Sequence, residues 1–243
     1  MINKNVLLIT GASSDVGMAL IKRVAENYSL IFAQYRNLNN SLCEIKKQYE
    51  DKVVLIQADL SKEKDINQMI DQIQQADSTV DHIVHLAAMK TDPIQFRKEK
   101  WNAVESHISI SVKSIYLILQ ALLPGMVRQG YGKVIFMLSS VIEKFPPKFQ
   151  SSYIMSKHAL FGLMQSLAVE YIDYGITFNG ISPDMIETKF LSNLPHWLAE
   201  QKAQASMLKR NLIVDDVVPT FEYFLSDGTD AITGQNFEIR NKL

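Results

Sequence analysis

The chain has 243 residues, 47% of them hydrophobic and 21% charged, with a net charge of −1. That balance exerts no long-range pull toward nucleic acid or an anionic membrane. The length lets one α/β domain bury a core without disulfides or metal. The single cysteine, Cys43, excludes an intrachain disulfide and fits a reducing compartment. The first residues lack the basic start, apolar stretch and small-residue cleavage site of a secretion signal. There is no stretch of about 18 apolar residues, so no segment is expected to span a membrane. The expected location is the cytoplasm.

Along the chain, short β-branched apolar runs recur at Val6–Thr10, Leu30–Gln34, Val53–Gln57, His82–Leu86, Val134–Leu138, Ile176–Ile181 and Asn236–Ile239. Segments of helical period lie between most of them: Val16–Asn27, Leu42–Glu50, Lys62–Gln75, Trp101–Gln129 and Tyr153–Tyr174. Strands apolar along their whole length are buried on both faces, the mark of a parallel sheet covered by helices. The pattern predicts a single doubly wound, Rossmann-type α/β domain over residues 1–243, with a seven-stranded, mainly parallel sheet and helices on both faces. In such sheets ligands bind beyond the carboxyl ends of the strands.

The first strand ends in Thr10-Gly11-Ala12-Ser13-Ser14-Asp15-Val16-Gly17, and a helix follows. Glycine lets a ligand approach the backbone, and a helix N-terminus offers unpaired N–H groups that suit a pyrophosphate. Asp15 is either the N-cap of that helix or a charge facing the phosphate, where it would repel. The second strand closes on Gln34-Tyr35-Arg36, with no acidic residue for a ribose hydroxyl and a guanidinium that suits a 2′-phosphate. NADP(H) is therefore the expected cofactor, with NAD(H) as the second choice. Asp59, at the end of the third strand, either meets an adenine edge or caps the next helix.

Tyr153 and Lys157 sit four residues apart at the head of a helix, so phenol and ammonium share one face. A neighbouring cation is expected to lower the phenol pKa toward usefulness as an acid/base. The preceding strand ends in Ser139-Ser140, and either hydroxyl could hold a carbonyl oxygen. His82, His85 and His107 lack converging cysteines or paired carboxylates, so they are read as packed or hydrogen-bonded, and no metal site is expected.

These segments resemble the short-chain dehydrogenase/reductase family, most of all its 3-oxoacyl-carrier-protein-reductase-like branch. Further markers are Asp59-Leu60, Ala121-Leu122-Leu123-Pro124-Gly125-Met126, Asn179 through Ser182-Pro183 with Thr188, and Ile232-Thr233-Gly234. The resemblance implies an oxidoreductase that interconverts a carbonyl and a secondary alcohol by hydride transfer. It implies Tyr153 as the proton donor or acceptor, and Lys157 as its activator and the anchor of the nicotinamide ribose. It implies Ser140, by its spacing to Tyr153, as the substrate-orienting hydroxyl, and it puts Ser111 in the fourth catalytic position. Cofactor contacts are implied at Gly11, Ser13, Ser14, Asp15, Val16, Gly17, Arg36, Asp59, Leu60, Ala87, Ala88, Pro183, Ile186 and Thr188. A substrate lid is implied around residues 184–215, with Phe190, His196 and Trp197 as apolar contacts. The long helices resemble those through which the family forms homodimers and homotetramers.

Several positions depart from the family pattern: Asp15 in the glycine turn, His85-Leu86-Ala87-Ala88 after the fourth strand, Ser111 for an asparagine, and Asp184 after Pro183. They leave a second expectation standing, a non-catalytic nucleotide-binding sensor or partner subunit on the same fold.

Overall fold

A computed structural model describes residues 5–240 apart from 77, 91, 144–145 and 190–195, and apart from the side chains of 196–198 and 202. Seven strands form one sheet: β1 (Asn5–Thr10), β2 (Tyr28–Tyr35), β3 (Val53–Gln57), β4 (His82–His85), β5 (Gly132–Met137), β6 (Ile176–Pro183) and β7 (Asn236–Ile239). Their order is β3-β2-β1-β4-β5-β6-β7, and every pairing is parallel. The helices are α1 (Asp15–Val24), α2 (Asn40–Gln48), α3 (Glu63–Gln75), α4 (Trp101–Ile108), α5 (Ser114–Gln129), α6 (Ser151–Glu170), α7 (His196–Gln204) and α8 (Val214–Leu225). A π-turn, Ser109–Lys113, joins α4 to α5.

The two-residue period of a strand sends neighbouring side chains to opposite faces. In β1, Leu7 and Ile9 join Leu20 and Ile21 of α1 and Phe221 of α8 in one core. Val6 and Leu8 join Ile66 of α3, Ile115 and Leu119 of α5 and Leu160 of α6 in the other. Each face of the sheet thus has its own helical layer, which is why the strands read as unbroken apolar runs.

Two features depart from the sequence pattern. The segment Trp101–Gln129, 29 residues that include an 18-residue window of mean hydropathy 1.6, is long and apolar enough by composition to cross a membrane. Its Ile115, Ile118, Leu122 and Met126 are buried against the sheet, so its apolar face serves as a core helix does. Helix α8 lies where no helix was expected and begins inside the range assigned to the lid. Pro219 within it masks the signal, while Asp216 marks its start by accepting the Ile213 N–H at 2.7 Å.

Candidate active site

The expected site residues gather at the carboxyl ends of the strands, around the seam between β1 and β4 where the strand order reverses. The first turn packs tightly there. Gly11 has φ +71°, and a Cβ on it would stand 3.0 Å from the Ala87 nitrogen. A Cβ on Gly17 would stand 2.8 Å from Ala12 and Gly11 backbone atoms. Only glycine lets β1, the end of β4 and the start of α1 come this close.

Ser14, not Asp15, caps α1: its Oγ accepts the Gly17 N–H at 3.1 Å. The Asp15 carboxylate turns away and accepts the backbone N–H of Lys189 at 2.9 Å. The Ser13 carbonyl accepts from Asn39 Nδ2 at 3.0 Å, and the Gly11 N–H donates to Gln34 Oε1 at 2.8 Å. Val16 is buried.

Arg36 is exposed at the end of β2. Asp59 sits across from it, with Oδ1 accepting from the Ser61 N–H at 3.1 Å and the Ser61 hydroxyl at 2.7 Å. Partial burial works against its ionisation, but the Ser61 hydrogen bonds and the charges of Lys62 and Arg36 leave its pKa below the ordinary carboxylate value. Of the two roles open to Asp59, the turn before α3 therefore claims one carboxylate oxygen. Leu60 beside it is buried.

Helix α6 carries Tyr153 and Lys157 on one face. Lys157 is 2% exposed, donates from Nζ to the Met137 carbonyl at 2.6 Å, and lies 5.7 Å from the Tyr153 ring centroid. Burial pulls its pKa down to about 8. The hydroxyl hydrogen-bonded to Tyr153 is Ser139, one residue earlier than the Ser140 that family spacing favours. Ser140 opens the next turn and is half-buried. The expectation of an acidified phenol is also corrected: burial raises the Tyr153 pKa, and the Ser139 hydrogen bond offsets this only in part. Desolvation decides the direction here.

The π-turn brings Ser111 to the same place. His85 fixes it: Nε2 lies 3.0 Å from the Ser111 carbonyl and Nδ1 2.8 Å from Thr10 Oγ1. A carbonyl only accepts, so Nε2 carries the proton and Nδ1 accepts from the threonine hydroxyl. Burial, helped by the Lys157 charge, holds the His85 pKa near 3, so the ring stays neutral. Ser111 Oγ and the Nδ1 of His107, four residues earlier, are both buried with no hydrogen-bond partner among the described residues. The His107 ring meets Tyr153 edge-on at 6.2 Å between centroids. The sequence pointed to Ser111, but the π-turn that presents it and the histidines on either side are visible only in three dimensions.

At the remaining expected cofactor positions, Ala87 and Ile186 are buried, and Ala88 and Thr188 are half-buried. Pro183 pairs with Ile239, and Ile186 bridges to Leu212. Phe190 and the side chains of His196 and Trp197 lie outside the described residues. Among the described residues, no cluster of three or more His, Cys, Asp or Glu could hold a metal ion. His82 is bonded at both nitrogens, to Tyr28 at 2.6 Å and Tyr131 at 2.8 Å.

A parallel sheet with a glycine turn at its switch point and a Tyr/Lys pair beside it defines a dinucleotide-fold protein with a candidate acid/base centre. The family model described as enoyl-(acyl carrier protein) reductase matches residues 11–240. The chain belongs to the short-chain dehydrogenase/reductase family, with 3-oxoacyl-carrier-protein-reductase-like relatives. It is 27% identical over 237 residues to a 3-oxoacyl-[acyl-carrier-protein] reductase of Staphylococcus epidermidis, covering 96% of both chains. Two solved structures share the fold. A gluconate 5-dehydrogenase from Burkholderia cenocepacia in complex with NADP and tartrate superposes with TM-score 0.88 at 19% identity, covering 99% of this chain and 95% of that one. A 3-oxoacyl-[acyl-carrier protein] reductase from Brucella melitensis with bound NAD superposes with TM-score 0.87 at 19% identity, covering 100% and 92%.

Proposed function

We infer that the protein is an NADP(H)-dependent oxidoreductase that interconverts a carbonyl and a secondary alcohol, with Tyr153 as the acid/base. The observation that carries this reading is the convergence of Tyr153, Lys157 and the Ser139 hydroxyl at the carboxyl end of β5. A non-catalytic subunit would have no use for that convergence.

The glycine turn fits a dinucleotide, because a side chain at Gly11 or Gly17 would collide with backbone and push α1 off the strand end. The N-terminus of α1 would face the phosphates, exposed Arg36 would pair with a 2′-phosphate, and Lys157 would reach the ribose. When bound, the nicotinamide supplies or accepts the hydride. Tyr153, neutral because burial raises its pKa, supplies the proton to the oxygen that becomes the alcohol. Ser139 or Ser140 holds that oxygen, and the charged Lys157 stabilises the phenolate left behind. Homodimers or homotetramers are the expected assembly, since Tyr116 on α5 and Met155 and Val169 on α6 are exposed apolar residues. Sedimentation as a monomer would overturn that expectation.

The test is to titrate NADPH and NADH by fluorescence, then to follow NADPH oxidation with a carbonyl panel. The relatives' activity puts a 3-oxoacyl thioester first in that panel. Turnover that drops about a thousandfold in Tyr153→Phe, with NADPH binding retained, supports the reading. Binding with no turnover of any carbonyl, unchanged by Tyr153→Phe, overturns it.

A further inference from the structure

Asp15 has a task that helix capping does not explain. Ser14 already supplies the capping acceptor, at 3.1 Å from the Gly17 nitrogen. The Asp15 carboxylate instead reaches across 174 positions of sequence to the Lys189 N–H, at 2.9 Å. The chain just before Lys189 is pinned from its other side. The Glu187 N–H donates to the Leu212 carbonyl at 2.8 Å, and the Leu212 N–H donates to the Met185 carbonyl at 3.0 Å. Asp15 thus closes a bridge between the first βα turn and the chain leaving β6, the two walls between which a dinucleotide would lie. Both walls attract anions: one is the start of a ten-residue helix, the other a main-chain donor on a residue with an exposed ammonium. The Asp15 carboxylate, carried on the first wall, is bonded to the second.

We propose that Asp15 is a built-in competitor of the cofactor: its carboxylate holds Lys189 against the glycine turn, and entering dinucleotide phosphates must displace it. The proposal rests on the dinucleotide reading above. Its physical basis is that two anions beside one helix N-terminus repel, and that the free energy of breaking the Asp15–Lys189 contact is subtracted from cofactor affinity. Asp15 is accordingly a positioning residue for the backbone at Lys189, and it sets how tightly the cleft takes its cofactor.

Two variants of the full chain test this. Asp15→Ala removes charge and acceptor, while Asp15→Asn removes the charge and keeps the size. Without cofactor, amide hydrogen exchange at Lys189 should quicken about fivefold in Asp15→Ala. NADPH should bind about fivefold to tenfold more tightly to both variants, and inorganic pyrophosphate should compete with it at lower concentration. Unchanged exchange at Lys189 in Asp15→Ala, or NADPH affinity equal to or weaker than the native protein's in both variants, overturns the proposal. Native protein that binds NADPH while the variants behave identically defeats the competition alone. NADPH that binds none of the three defeats the dinucleotide reading, and the competition with it.

Discussion

The Lys157 ammonium lies 5.7 Å from the centre of the Tyr153 ring while it donates to the Met137 carbonyl. One burial acts on both groups in opposite senses: it pulls the lysine down to about pH 8 and pushes the phenol above 10.0. Carbonyl reduction should therefore be level below about pH 8 and decline above it as Lys157 loses its charge. Stability should move the other way. The unfolded lysine titrates near 10.5 and so holds more protons than the folded one between pH 8 and 10.5, which means this group makes folding more favourable as pH rises through that window. Rate profiles of the native protein and Lys157→Met, beside denaturant titrations at pH 8 and 10, check both. A variant that keeps the alkaline decline places its origin elsewhere.

Ser139 and Ser140 should separate on substitution. Ser139→Ala removes the hydrogen bond that holds the phenol pKa down, so the alkaline titration of Tyr153 should move upward. Ser140→Ala should leave that titration in place and act through the substrate, raising KM or lowering kcat by about tenfold or more. Ultraviolet difference titration of tyrosinate, with Tyr153→Phe as the reference, distinguishes them. Equal shifts in both variants would remove the assignment of Ser139.

Arg36 is the exposed cation at the end of β2. Arg36→Ala should weaken NADPH about tenfold to a hundredfold through loss of charged hydrogen bonds, and NADH far less. Fluorescence titration of both cofactors reads the ratio, and parallel losses would end the argument for a 2′-phosphate partner.

Acid should unfold this protein partly through two histidines. His82 and His85 are held near pKa 3 in the fold, chiefly by burial, against 6.5 when unfolded. Their neutral forms favour folding fully above pH 6.5, and that contribution fades as pH falls toward 3. Each is worth on the order of a few kcal/mol over the whole window. His85→Asn should be less stable than the native protein at pH 7 yet lose less on going to pH 5, as urea midpoints would show. Equal losses in the two proteins would refute this role for His85.

The fold was legible because its signals are local. Val6–Thr10 and Val134–Leu138 are apolar without interruption, and only strands covered on both faces read that way. The Tyr153/Lys157 spacing and the Gly11–Gly17 turn pointed to a candidate site at the strand ends for the same reason. What stayed hidden depends on distant parts of the chain. The Ser139–Ser140 doublet does not reveal which hydroxyl meets the phenol, since that turns on how the loop leaves β5. The direction of the Tyr153 pKa shift depends on burial that no sequence spacing encodes. The bond from His85 to the Ser111 carbonyl spans 26 residues and exists only because the helix carries a π-turn. The reach of Asp15 to Lys189 is longer still: the sequence offers it as a helix cap or a charge facing a phosphate, and neither reading foretells its bond to the Lys189 N–H.

The position of β1 has a consequence for biosynthesis. It pairs with β2 on one side and β4 on the other, so residues 5–10 find their second neighbour only at residues 82–85. A nascent chain that has left the ribosome as far as α3 presents β1 with one bare edge, and its Leu7, Leu8 and Ile9 are fully buried only in the finished sheet. Such an edge invites pairing with another chain. Fragments that stop before β4 should therefore aggregate, and fragments that extend through β5 should be the first to remain dispersed.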